Sequence, residues 1–394
     1  MKKSINIDYW YENTLFDKVE LWMMLPKEGM NQSVKPKQVH RVPTEESLGY
    51  FILHKNDKIH LNFDVDWYNP KSYEVYLNNE EEKYYLRNTI LSPINAEITA
   101  LAMEITKGKN TKKDQARDIF EYIVNNFKYK YPPRSRGALS FLKAKEGDCG
   151  EFSFLFSSLC RSIGIPTRTI FGGWSNGKMN GHAWNEIFLE DIGWFSVDTS
   201  MANIQKNNRF SFLISNIRTM HWKKYFGQTE GQRIIFSKDA EIKLSPSYIN
   251  CVEKSIIIKP LYINNTPFYW GQESLNGCAP YLQPAYVKFD GIFDPSSATI
   301  KTFNLIGNWK TKENGIRGIL SSIKAMLIMP SLIVMVISLF WDILLLELIY
   351  KLGLISGFLC FILRKERTVV FSILLFLMIL SILSTISQLS ACSL

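Results

Sequence analysis

Three features of the sequence predict an α+β fold: helices packed on one side of an antiparallel sheet, with a β-rich domain before them and transmembrane helices after. Ile59, Leu61, Phe63, Val65 and Trp67 alternate strictly with polar residues, the period of a half-buried strand. Between Ser92 and Asp198, runs of helical period give way to strand-like runs, an order that suits helices segregated to one face of a sheet. From Ala325 onward the chain is nearly as apolar as lipid. The 394 residues then divide into a β-rich domain over 1–88, a core over 89–250 closed by a β hairpin, a β-containing extension over 251–316, and two or three membrane helices over 317–394.

Met1 to Asn13 carries two lysines with no apolar run behind them, so it does not read as a signal peptide. Val19 to Leu25 reads as a strand. Tyr50 to Leu53 is expected to pair with Ile59–Trp67 across a turn at Lys55 to Lys58. His40, His54 and His60 show no ligand spacing and read as surface residues. Ser92 and Pro93 have the form of an N-cap and first helical position, with Ile94, Ile98, Leu101 and Ile105 as the apolar face and Gly108 as the stop. Thr111, with Asp114 three residues on, opens a second helix whose face is Ala116, Ile119, Phe120, Ile123 and Phe127. Lys128 to Glu146 reads as a loop. Its Tyr129, Tyr131, Arg134 and Arg136 suit either a wall of a substrate groove or a plain surface loop.

Cys149 opens a third helix, because Phe152, Leu155, Phe156, Leu159 and Ile163 recur at helical spacing and Gly164 with Pro166 ends it. A thiol in the first turn lies at the positive end of the helix dipole, which favours the nucleophilic thiolate. Cys160 in the same helix reads as packing. His182 and Asp198 fall on two strand-like runs joined by a turn at Glu190 to Gly193. Adjacent antiparallel strands can hold a carboxylate against one imidazole nitrogen and leave the other to face the sulfur. Thiol, imidazole and carboxylate therefore stand in the order nucleophile, base and orienting acid, while each alone reads as an ordinary core or turn residue. Trp174, Trp184 and Trp194 read as lining of core and cleft. The backbone N–H of Cys149 is the natural first oxyanion donor, and the sequence does not identify a second. Beyond Asp198, Arg209 to Tyr225 reads as a peripheral helix or loop, Arg233 to Phe236 with Glu241 to Leu244 as the closing hairpin, and Ser255 to Thr266 and Ala285 to Phe293 as strands.

The motifs Gly147-Asp148-Cys149, Arg161 with Gly164-Ile165-Pro166-Thr167-Arg168, His182-Ala183-Trp184-Asn185-Glu186, and Gly193-Trp194 ahead of Asp198 resemble the transglutaminase-like core superfamily. The resemblance is specific over Lys107 to Thr199 and looser on the flanks. It implies a papain-like fold with Cys149 as nucleophile, His182 as base and Asp198 as orienting acid, in a family of protein cross-linkers, cysteine proteases and peptide N-glycanases. Bacterial members often carry an N-terminal β module of the kind read over residues 1–88. Thr167, Asn185 and Thr199-Ser200 depart from the usual pattern, and none is in the triad. The implied activity is attack of Cys149 on an amide carbonyl of a protein or peptide. The thioester is then resolved by water or by an amine, or else the core serves as a non-catalytic binding module of a membrane assembly.

A formal charge of +9 raises the question of nucleic acid, but no basic stripe, zinc spacing or aromatic ribonucleoprotein motif accompanies it. Scattered lysines suit a solvated surface near anionic lipid. The six cysteines form no CxxC pair, and only Cys251 and Cys278 are plausible disulfide partners, and only if that face is extracytoplasmic. No calcium loop or metal motif is present, so cofactor-free chemistry is expected. The uncharged run after Arg367 is long enough to span a bilayer, and Ala325 to Leu363 fits one long span or two short ones. Asp342 and Glu347 are costly against lipid, so they face a helix partner or mark a loop. The expected product is an integral membrane protein. The basic Arg364 to Arg367 loop favours a cytoplasmic core if there are three spans and an external one if there are two, and three spans with a cytoplasmic core is the favoured expectation.

Overall fold

Ile5, Ile7, Tyr9 and Tyr11 alternate with the less buried Ser4, Asn6, Asp8, Trp10 and Glu12 and bury one face of β1 (Lys3–Glu12), so strand structure begins at the first described residue of this computed structural model. The described residues are 3–26, 32–39, 48–67, 76–175, 177–178, 181–207, 220–248, 261–263, 266–268, 273–281, 285–290, 307–341, 343–366 and 368–392. His40, Cys251, Asp342 and Arg367, with most of the 209–225 and 255–266 stretches, lie outside them. The chain forms two units, residues 1–207 with 221–312 and residues 208–220 with 313–394.

β1 is followed by β2 (Lys18–Met24), β3 (Gln32–Val39), β4 (Leu48–His54) and β5 (Lys58–Trp67). The turn at Lys55 to Lys58 exists, but it does not close a hairpin. β4 pairs with β2, and β5 pairs with β1 and β3, so the chain changes sheet there. Asn13 holds the crossing: its side-chain amide donates to Phe16 O at 2.9 Å and Leu53 O at 3.1 Å.

The helices come next. α1 (Asn79–Tyr85) is capped by Asn78 and Glu81 in a reciprocal box and buries no residue, so it carried no periodic signal. α2 (Ala96–Ile105) starts later than Ser92, because Asn95 is the N-cap and accepts from Ile98 N at 2.9 Å. α3 (Lys112–Asn126) is capped by Thr111 and buries Ala116, Ile119, Phe120, Ile123 and Val124. β6 (Lys128–Tyr129), α4 (Ala138–Ala144) and β7 (Glu146–Gly147) structure the stretch read as a loop, with β6 and β7 parallel. They lead into α5 (Cys149–Ser162), which is buried nearly all round.

α5 packs on an antiparallel sheet of order β11-β10-β8-β12, made of β8 (Thr167–Trp174), β10 (Gly181–Leu189), β11 (Gly193–Val197) and β12 (Arg233–Ser237), with β9 (Gly177–Lys178) between β8 and β10 in sequence. α6 (Thr199–Asn207) follows β11. β12 pairs with β8, and β13 (Ile242–Lys243) pairs with β16 (Cys278–Ala279). The two segments read as a closing hairpin thus find other partners. β14 (Leu261–Ile263) and β15 (Thr266–Phe268) form a small pair of their own.

The last strands of the unit return to its beginning. β17 (Ala285–Asp290) pairs with β2 in a sheet of order β17-β2-β4, and β18 (Asn308–Glu313) lies between β1 and β9 in a sheet of order β3-β5-β1-β18-β9. Ile7, Leu21, Leu61, Val65, Tyr286 and Trp309 share one apolar core between these sheets, and Ile234 and Phe236 of β12 reach into it.

In the second unit, α7 (Gly315–Ser338), α8 (Leu344–Leu363) and α9 (Thr368–Cys392) are each long and apolar enough to cross a membrane. A Cβ on Gly357 would stand 2.3 Å from Ile328 Cδ1, so small residues let α7 and α8 approach closely. Phe361 stacks on Phe371 at 3.9 Å. The charges pair with one another: Lys324 with Glu366 at 2.7 Å, and Arg364 with Glu366 at 2.6 Å and Glu313 at 2.8 Å. Glu347 pairs with Lys351 one turn on at 2.7 Å and accepts from Thr385 Oγ1 at 3.2 Å, so it faces a helix partner.

Candidate active site

Cys149 is the first residue of α5, behind the N-cap Asp148, whose carboxylate accepts from Gly150 N at 2.8 Å. Glu151 closes the capping box from the third helical position. Arg136 neutralises this acidic pair from beneath, its Nη1 donating to both Asp148 oxygens at 2.8 Å and to Glu151 at 2.9 Å. Close packing explains the glycines on either side: a Cβ on Gly147 would stand 2.8 Å from Glu151 Cβ, and one on Gly150 3.3 Å from Arg136 Nη1. Arg136 is therefore a buried support rather than a groove wall, while Arg134 and Tyr131 are exposed.

The Cys149 thiol is half-buried and accepts a hydrogen bond from Ala183 N–H, the residue after His182 on β10. Its pKa is raised, first by burial and then by the Asp148 charge, and the Ala183 N–H only partly opposes them. The helix end is where the sequence placed it, and burial, with the Asp148 charge added to it, works against the thiolate there. Tyr129 lies near enough to feel the charges of Cys149, Asp148 and Asp198, and burial raises its phenol. Tyr281, stacked on Phe171 at 3.9 Å, also senses Cys149, and no sequence spacing connects it to the site.

His182 Nε2 and Asp198 Oδ2 are 2.7 Å apart, both buried. The register that brings them together is the β10–β11 pairing, Asn185 opposite Val197, which ends just before Asp198. Asp198 then begins α6: its Oδ1 accepts from Ser200 Oγ and from Met201 N, each at 2.8 Å. Burial works to raise its pKa, but the His182 and Arg233 charges and these donors hold it well below the usual carboxylate range. The imidazole stacks between Trp174 (4.6 Å) and Trp184 (5.9 Å).

The departures from the family pattern have local reasons. Ser200 supplies one of the Asp198 donors. Asn185 ties β10 to the helix, donating to Ser153 O at 3.0 Å and Ser157 Oγ at 2.9 Å. Thr167 Oγ1 donates to Ile165 O at 2.9 Å, a bond to the turn between α5 and β8 that Ala could not make. Two residues that the sequence did not flag complete the site. Arg233 Nη2 meets Asp198 Oδ2 at 2.8 Å, and Arg233 is gripped side-on by Glu230 at 2.6 and 2.9 Å. Among the described residues, no cluster of three His, Cys, Asp or Glu is placed to hold a metal ion.

Residues 99–199 match the family model of the transglutaminase-like superfamily, so this stretch carries a transglutaminase-like core. No curated protein matches the chain. Among solved structures, a candidate cysteine protease from Cytophaga hutchinsonii is 18% identical, covering 51% of this chain and 76% of its own, with a TM-score of 0.40. The periplasmic domain of TgpA from Pseudomonas aeruginosa is 18% identical, covering 50% of this chain and 74% of its own, with a TM-score of 0.35. A candidate protease from Parabacteroides distasonis is 13% identical over 50% of this chain and 46% of its own, at 0.24.

Proposed function

We propose that the chain is a membrane-anchored, transglutaminase-like thiol enzyme acting on amide bonds of proteins or peptides. Cys149 is the nucleophile, His182 the base and Asp198 the orienting acid. The observation that carries the reading is the His182 Nε2–Asp198 Oδ2 hydrogen bond at 2.7 Å, with the Cys149 sulfur bound to the backbone of the next residue, Ala183. Because Nε2 holds its proton toward Asp198, Nδ1 is the basic nitrogen.

The sulfur begins as a thiol, so attack and proton removal are coupled. Cys149 Sγ bonds to the carbonyl carbon as His182 takes the thiol proton, and the backbone N–H of Cys149 receives the oxyanion. His182 returns the proton to the departing nitrogen, the C–N bond breaks, and a thioester and a free amine result. Water or a second amine then attacks the thioester, and its proton passes through His182 back to sulfur. Water gives proteolysis or deamidation; an amine gives a cross-link.

The raised thiol pKa favours one other reading, a non-catalytic binding module. Alkylation of full-length protein in detergent by iodoacetamide, read peptide by peptide, separates the two. An enzyme labels Cys149 much faster than buried Cys160, and His182→Ala slows Cys149 by about tenfold or more at neutral pH. Equal rates with and without His182 would make the chain a binding module. With three spans, the basic turn at Arg364 and Lys365 supports a cytoplasmic core. Protease digestion of sealed right-side-out vesicles should then spare the core, and its degradation would reverse the assignment.

A further inference from the structure

Arg233 has no local motif and lies at the start of β12, the edge strand of its four-stranded sheet, yet it is fully buried beside the candidate base. Its Nη2 is shared between Asp198 Oδ2 at 2.8 Å and Glu230 Oε2 at 2.9 Å, while its Nε donates to Glu230 Oε1 at 2.6 Å. The guanidinium carbon stands 4.9 Å from the ring centres of both Trp174 and Trp184, the same two indoles that hold His182. Asp198 Oδ2 is therefore the common acceptor of an imidazole and a guanidinium clamped in one aromatic slot. A Cβ on Gly172 would lie 2.0 Å from Ile234 O, so the strand carrying Arg233 reaches this place only because Gly172 is bare.

The charges in the slot are unequal. Asp198 and Glu230 are two anions against one guanidinium, so the cluster is net negative while His182 is neutral and balanced once His182 is protonated. In a buried site that difference is felt strongly. Beside this cluster, the Tyr129 phenol feels the charges of Cys149 and Asp198, the Tyr225 phenol lies near enough to act on Arg233, and Arg136 pairs Asp148 and Glu151 next to Cys149.

We propose that Arg233, held by Glu230, is a positioning residue of the acyl-transfer site. It fixes Asp198 in the orientation His182 requires, and with Glu230 it sets how readily His182 accepts the thiol proton. This rests on the thiol-enzyme reading above. Arg233 alone would oppose protonation of His182 by its positive charge; Glu230 cancels that effect and leaves the Asp198 charge to act.

The test is the rate of Cys149 alkylation by iodoacetamide in full-length protein in detergent, followed between about pH 5 and about pH 9. Wild-type protein should show a rate that rises through one limb, which His182→Ala removes. Glu230→Gln removes the excess negative charge, so the limb should move down by about one unit. Arg233→Lys keeps the charge but loses the fork, so the limb should stay and the plateau fall by about tenfold. The double variant Glu230→Gln with Arg233→Met restores the wild-type charge count, so its limb should return while its plateau remains low. It also supplies the answer if either single variant fails to fold. Limb and plateau matching wild type in all variants would reduce Arg233 and Glu230 to an ordinary buried ion pair. A wild-type profile with no His182-dependent limb would instead overturn the thiol-enzyme reading itself.

Discussion

Burial beside Asp148 pushes the Glu151 carboxyl up to about 8, against the opposing pull of Arg136. Its ordinary value is 4.5, so between those two values the folded chain holds a proton that the unfolded chain has lost. Stability from this group therefore falls as pH rises across that window. Asp148 has the opposite sense: Arg136 and Gly150 N hold it low despite burial, so its contribution is present at neutral pH and lost on acidification. Glu151→Gln keeps the capping geometry and removes the charge. Thermal unfolding of the variant should lose the decline between about pH 5 and about pH 8, and an unchanged decline would place its origin in another group. At this scale the sequence was informative where function depends on neighbours in the chain. Cys149, His182 and Asp198 each sit inside a short motif with its own helix or strand signal. Arg233 and Glu230 do not: three residues apart, they look like any exposed pair, and their partner Asp198 is set by sheet order.

Among the elements, β12 depends most on what it approaches. Gly172→Ala would drive a methyl into Ile234 O and against the Trp184 ring, costing about 1–3 kcal/mol and displacing the strand that bears Arg233. The expected result is a lower melting temperature together with loss of His182-dependent alkylation. Full alkylation at a lowered melting point would mean that β12 tolerates the shift. Helix α3 was legible from its cap and period, and α5 from its period and stop. α2 was placed three residues early, since Ser92-Pro93 imitates a start that Asn95 makes in fact. The hairpin expected over residues 50–67 failed for a different reason. The turn is encoded locally, but which sheet each strand joins is decided by the faces that β1 and β2 offer.

For the whole molecule, the boundary that matters lies at the end of β18. Trp309 fills the space above Gly173, where a Cβ would stand 2.6 Å from its ring, and packs edge-on against Phe236 at 5.1 Å. A fragment ending at Asn314 keeps that strand, and one ending at Leu305 does not. The longer should be soluble and show a cooperative melt; the shorter, losing a buried Trp worth about 3–5 kcal/mol and leaving β1 unpaired on that side, should aggregate. Equal solubility of the two would show that β18 is dispensable. The three helices long and apolar enough to cross a membrane were read from composition alone, while the return of β17 and β18 to the first strands was not, because long-range pairing leaves no local trace. That return has a consequence for biosynthesis. On the ribosome, β1 and β2 emerge well before β17 and β18, their second partners, which are translated just ahead of the first apolar helix. Sheet closure and the emergence of the first apolar helix therefore fall in the same short interval. Substitutions in β18 should register as poor expression and chaperone retention before any purified protein exists to assay.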